Sequence, residues 1–160
     1  MTPHLESQIR DWVGHSEGWM VPERALEMAQ GIIDEKPIVA VELGVFGGRS
    51  LVSQALALKE NGKGRIYGID PWKTEAALEG ENDANKNWWT KNININEIHQ
   101  WCMNGIYKYG VEEQAIVIRS RSQFCASLFD NGIDHLFIDG NHSEVASCRD
   151  VNFYLPLLKH

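Results

Sequence analysis

The chain has 160 residues, 43% of them hydrophobic and 23% charged, with a formal net charge of -7. That length and balance predict one soluble globular domain over residues 1–160 with a core of its own, and the acidic excess excludes a broad phosphate-tracking surface, so nucleic acid is not an expected partner. Three scattered cysteines (Cys102, Cys125, Cys148) without a CxxC spacing exclude a disulfide framework and a cysteine-rich zinc site.

Residues 1–20 form a polar N-terminal arm carrying Trp12 and Trp19, expected as a short helix followed by the turn His15-Ser16-Glu17-Gly18. From Pro22, the spacing of Ala25, Leu26, Met28, Ala29, Ile32 and Ile33 predicts an amphipathic helix that Lys36-Pro37 ends. No apolar run behind basic residues precedes Val39, and no stretch approaches membrane-spanning length. A cytoplasmic location and no membrane partner are therefore expected.

The first predicted strand, Ile38 to Leu43, stops at an acid and opens into the glycine turn Gly44-Val45-Phe46-Gly47-Gly48, with a helix expected from about Ser50 to Lys59. A strand feeding a helix through glycines lets backbone N–H groups approach a ligand at the carboxyl edge of a sheet. A dinucleotide turn requires glycine where this chain has Phe46 and Arg49, which disfavours NAD or FAD. Glu42, two residues before the first glycine, suits a ligand with a positive charge there; its alternative use is as a structural acid at the strand end. Arg49 is expected as a helix-end ion pair.

The second strand, Arg65 to Asp70, again ends in an acid, and Pro71-Trp72 breaks it. Residues 73–96 are polar, contain Trp88-Trp89, and are longer than an ordinary connection, which marks a lid or insertion. The paired tryptophans either line an acceptor pocket or form the insertion's private core. A helical face through Ile98, Trp101, Cys102, Ile106 and Tyr109 closes at Gly110. A third strand over 115–118, a helix near Phe124 to Leu128, a fourth strand over Ile133 to Asp139 and a last helix over Ser143 to Tyr154 complete the chain. The alternation predicts an α/β, Rossmann-like three-layer sandwich with a mainly parallel sheet.

Four segments in this order, Val41-Glu42-Leu43-Gly44 with Gly48-Arg49-Ser50, Gly68-Ile69-Asp70-Pro71-Trp72, Ser122, and Phe137-Ile138-Asp139-Gly140-Asn141-His142-Ser143 with Asp150 and Leu155-Pro156-Leu157-Leu158, carry a resemblance. The chain resembles class I S-adenosylmethionine (SAM)-dependent methyltransferases, in particular the small-molecule O-methyltransferase branch of the macrocin type. The resemblance implies SAM as cofactor and a small-molecule hydroxyl as acceptor. It places Glu42 near the methionine ammonium, directly or through water, with Gly44, Gly48 and Ser50 in the cofactor turn. It gives Asp70 both ribose hydroxyls, sets Phe46 and Trp72 as walls of the adenosine, and puts Ser122 and Gln123 by the adenine. Asp139 would face the cofactor sulfur and, as in metal-dependent members, could bind magnesium that lowers the hydroxyl pKa; without an ion, His142 or Asp139 would be the base that takes the acceptor proton.

The departures are Arg121, where relatives often carry an acid before the serine, and Asn141, where the loop often carries a second Asp. Relatives also continue past the last leucines with a Pro-Gly-Gly turn, a fifth strand and a hairpin. The expectation is thus a truncated methyltransferase fold with an uncovered sheet edge, open to a second copy of the chain. Two rivals remain at this level: a non-catalytic SAM-binding module acting through a partner, and an NAD-linked Rossmann oxidoreductase.

Overall fold

The protein is described by a computed structural model covering residues 1–159. Strands β1 (Val39–Leu43), β2 (Arg65–Ile69), β3 (Ala115–Ile118) and β4 (His135–Ile138) form one parallel sheet in the order β3-β2-β1-β4. Helices α1 (Pro3–His15), α2 (Pro22–Glu35), α3 (Arg49–Asn61), α4 (Thr74–Ala77), α5 (Asp83–Asn92), α6 (Ile95–Tyr109) and α7 (Glu144–Tyr154) join and cover it. The α/β Rossmann-like architecture read from the sequence is the one observed. None of the helices is long and apolar enough to cross a membrane among the described residues.

The period of two along β1 decides which residue serves which layer. Ala40 joins a core built with Leu5, Ile9, Trp12, Ala29, Ile32, Leu51, Ala55, Ile98 and Ile106, so α1, α2, α3 and α6 cover that face. Val41 and Leu43 turn to the opposite face, where Cys125, Phe129, Ile133 and Tyr154 meet them. Glu42 alternates onto the α3 face with Ala40, which places a carboxylate inside an otherwise apolar layer.

Register brings the functional edge into line. Leu43 pairs with Ile69 on one side and Ile138 on the other, and Ile69 pairs with Ile118. The next residue of each strand therefore falls in one row: Arg119, Asp70, Gly44 and Asp139. The ladder runs one step past the strands to hold that row, with Gly44 N–H on Ile69 O (2.9 Å), Asp139 N–H on Leu43 O (2.8 Å) and Asp70 N–H on Ile118 O (3.2 Å).

Three elements differ from the sequence reading. The N-terminal arm is a core element, because Leu5, Ile9, Trp12 and Val13 recur at helical spacing and are buried. The segment expected as a helix near Phe124 folds instead as two 3-10 turns, Ser122–Phe124 and Ala126–Phe129. Tyr154 Oη donates to Ser122 O (2.8 Å) and Ser122 Oγ donates to Asp150, which pins the start of that segment to α7. Strand β4 is shorter than expected, and Ile133 makes an isolated parallel bridge with Leu158.

Gly105 of α6 shows how tightly the larger core is filled. A Cβ at this position would run into the ring of Trp12, whose indole donates to Gly48 O (3.1 Å). Gly105→Ala gains about 1 kcal/mol of helix propensity, but overpacking against a fixed indole costs about 1–3 kcal/mol. We expect the second effect to win, lowering the urea midpoint with an unchanged denaturant slope; a raised midpoint would mean that Trp12 yields.

Candidate functional site

The turn after β1 is built by steric exclusion. Gly44 (φ 82°) lies against the backbone of Asp139 and Gly140, where any Cβ would collide, so the tips of β1 and β4 touch only because the residue is glycine. Gly48 (φ 83°) caps α3 without a side chain, leaving the first N–H groups of that helix free of side-chain caps.

Asp70 holds the turn in place. Its Oδ2 accepts from Val45 N (2.9 Å) and Phe46 N (3.0 Å), and its Oδ1 accepts from Trp72 N (2.7 Å). The indole of Trp72 donates to Phe46 O (2.9 Å), closing a ring between the two strand tips. Phe46 (φ 51°) and Trp72 (φ 41°) are left-handed, a strained backbone for residues with large side chains, and these bonds hold it there. Of the four lone-pair directions of the Asp70 carboxylate, three are taken. One acceptor position on Oδ1 remains open to a further donor.

Glu42 is engaged inside the protein, the structural use that the sequence left open beside ligand contact. It has no exposed surface, and both oxygens are engaged within the protein: Ser50 Oγ donates to Oε1 (2.6 Å) and Gln54 Nε2 to Oε2 (2.7 Å). Burial, with Asp139 and Asp70 adding their charge, pushes its carboxyl up to about 8, against the hydrogen bonds that favour the charged form. Gln54 Oε1 is buried without a partner. Turning that amide over would set Oε1 against Glu42 and let the neutral acid donate to it. Glu42 thus braces the first turns of α3, with both carboxylate oxygens engaged inside the protein.

The remaining candidates fall into three groups. Trp72 is 1% exposed and packs edge-on against His99 (4.6 Å between centroids), so it supports the turn from inside the core. Ser122 has its hydroxyl on Asp150, while Gln123 Oε1 is buried with no partner. Asp139 and His142 lie together beyond β4, with Nε2 to Oδ1 at 3.5 Å and the histidine side chain 80% exposed. Partial burial raises the Asp139 carboxyl and His142 opposes that shift.

The donor set around Asp139 does not fit a magnesium site. No cluster of three or more His, Cys, Asp or Glu side chains is placed for a metal among the described residues. Asn141 is also committed elsewhere: its Nδ2 donates to the carbonyls of Ala76, Ala77 and Glu79 (3.1, 3.1 and 2.8 Å), and its Oδ1 accepts from Ser143 N (2.8 Å).

Sequence reasoning missed two features of the site. Among the described residues Arg49 makes no ion pair; its guanidinium donates to Ser16 O and to Met20 O (2.8 Å) and clamps the arm onto the glycine turn. Glu79 sits between Arg121 and Arg149 (2.9 Å) and ties the 73–96 segment across the strand ends. Neither carries a local signal, because the partners are dozens of residues apart.

The Glu42 environment has a pH consequence. Its folded carboxyl titrates near 8 against an ordinary value of 4.5, so the folded state holds the proton more tightly. The stability this contributes is full below 4.5 and is lost as pH rises to about 8. The unfolding midpoint of the wild type should fall across this window, and Glu42→Gln, which is neutral throughout, should flatten the profile. Parallel profiles for the two proteins would show that Glu42 is ionised in the fold.

The chain was compared with known proteins. A family model described as "Methyltransferase domain" matches residues 41–160. No curated protein matches. Among solved structures, the O-methyltransferase TomG from Streptomyces achromogenes, in complex with SAM, has 14% identity and a TM-score of 0.64 over 99% of this chain and 62% of its own. An O-methyltransferase from Bacillus cereus in complex with S-adenosylhomocysteine (SAH) has 12% identity and a TM-score of 0.63 over 99% of this chain and 63% of its own. The SAH-bound methyltransferase PaMTH1 from Podospora anserina has 13% identity and a TM-score of 0.65, covering 99% of this chain and 59% of its own. The chain spans about 62% of the length of the TomG structure, and identities this low speak for the fold alone. With three quarters of its length matched by the family model and the glycine turn lying within the matched span, the chain belongs to the methyltransferase-domain family.

Proposed function

We propose that the chain is a single SAM-binding domain of a methyltransferase that acts on a hydroxyl of a small molecule, working without a metal at Asp139. The observation that carries this reading is the row Asp70-Gly44-Asp139 at the tips of neighbouring strands. It sets two carboxylates on either side of a turn that admits no Cβ. The free position on Asp70 Oδ1 would accept a ribose hydroxyl, and the orphaned Gln123 Oε1 is the acceptor that an adenine amino group would fill. Bound SAM would supply an electrophilic methyl on a sulfonium. Gly44 and Gly48 would let the backbone approach its methionine end, with Ser50 fixed beneath by Glu42 and Phe46 at the margin. His142 would take the acceptor proton, with Asp139 orienting the imidazole and opposing the positive charge it gains.

Calorimetric titration with SAH tests the reading. The wild type should bind, and Asp70→Asn, which loses the forked acceptor and sets an amide donor against the local N–H groups, should bind roughly tenfold or more weakly. A folded wild type that gives no binding heat with SAH but is stabilised by NADH would replace this reading with the oxidoreductase.

A second reading, a binding module completed by a partner, draws on β4. Its outer edge is paired among the described residues at Ile133–Leu158 alone, and such an edge is a template for another strand. Sedimentation at a dimer mass, shifted to monomer by Leu136→Pro, would support pairing at this edge. A monomer at all concentrations would remove it.

A further inference from the structure

The aromatic side chains around Phe46 are disposed in a way that packing alone does not account for. Trp19 keeps 65% of its surface exposed, yet the backbone on both its flanks is fixed by the Arg49 bonds to Ser16 O and Met20 O. Gly47 adds a third restraint, lying so close to the Glu17 carbonyl that a Cβ would collide with it. An indole left largely in water on a fixed backbone is the reverse of what hydrophobic burial produces. Its ring lies 4.8 Å from Phe46 at 30°, and 6.0 Å and 6.4 Å from Trp89 and Trp88. Trp89 also stands edge-on to Phe46 at 5.9 Å, while Trp88 remains 47% exposed. Three separate segments, the arm, the glycine turn and α5, thus bring four rings to the margin of the proposed site and leave two of them open.

Resting on the methyltransferase reading above, we propose that Trp19, Phe46, Trp88 and Trp89 form the acceptor platform, and that it takes a flat aromatic ring bearing the hydroxyl. A private core for the insertion would hide Trp88, and it does not. A charged anion is opposed by the net charge of -7. A saturated sugar needs amide and carboxylate partners beside the rings, whereas the faces that meet here are apolar, the type of surface on which planar rings stack.

The test uses naphthol and its saturated counterpart decalinol as probes, titrated by tryptophan fluorescence and checked by saturation-transfer NMR, on the full chain with and without SAH. We expect naphthol to bind at least about fivefold more tightly than decalinol, with Trp19→Ala and Trp88→Ala each weakening naphthol about threefold or more and Trp19→Phe retaining most of the affinity. SAH affinity should be unchanged in Trp19→Ala. Equal affinity for the two alcohols, tighter binding of tetraethylammonium than of naphthol, or no response to either alanine variant overturns the platform. Failure of SAH to bind, with naphthol still preferred on the free chain, overturns the methyltransferase reading and leaves the aromatic site standing.

Discussion

The arrangement of the site depends on one carboxylate receiving three backbone N–H groups. Asp70 ends β2, but the groups it satisfies belong largely to the turn after β1, at Val45 and Phe46. Without that acceptor the two amides of a left-handed turn would have no partner beside a core, a costly state for backbone polar groups. The same bonds hold Phe46 where its ring reaches Trp19 and its carbonyl receives the Trp72 indole. Turn shape and aromatic margin therefore depend on a single interstrand interaction.

Two acids of similar appearance in the sequence are used in opposite ways. Glu42 and Asp70 both stand at strand ends, the first before the glycine turn and the second before Pro71-Trp72. The alternation of β1 sends Glu42 under α3, where Ser50 and Gln54, one helical turn apart, close over it. Asp70 falls one residue past its strand and lies level with the turn. The difference is a matter of register: an acid inside the ladder faces a helix, and an acid just beyond it faces the opening.

The sheet was legible because β-branched runs ending in acids and glycines recur at the spacing of βαβ units, and the helix start at Pro22 and the helix end at Gly110 were visible as residue types. The core role of α1 was only partly legible, since its buried face is diluted by exposed polar residues and a tryptophan that packs on a distant helix. The 3-10 turns at 122–129 were not, because Asp150 and Tyr154, which anchor them, lie a whole strand and helix further along. Within the site, the glycine requirement at Gly44 could be read directly. The engagement of Glu42, the clamp at Arg49 and the meeting of Trp19 with Trp88-Trp89 could not, since each is a tertiary contact.

Asn141 stands in the loop after β4, and its amide hydrogens close on the carbonyl ends of α4 and the turn that follows it. A carboxylate at this position has no hydrogens to give and would set a negative oxygen against three others. One side chain therefore cannot both offer charge to a cation and fasten the strap that crosses the strand tips. In this protein the hydrogen-bonding capacity of that position goes to fastening the 73–96 segment to the loop after β4, and a neutral amide rather than a charge stands there.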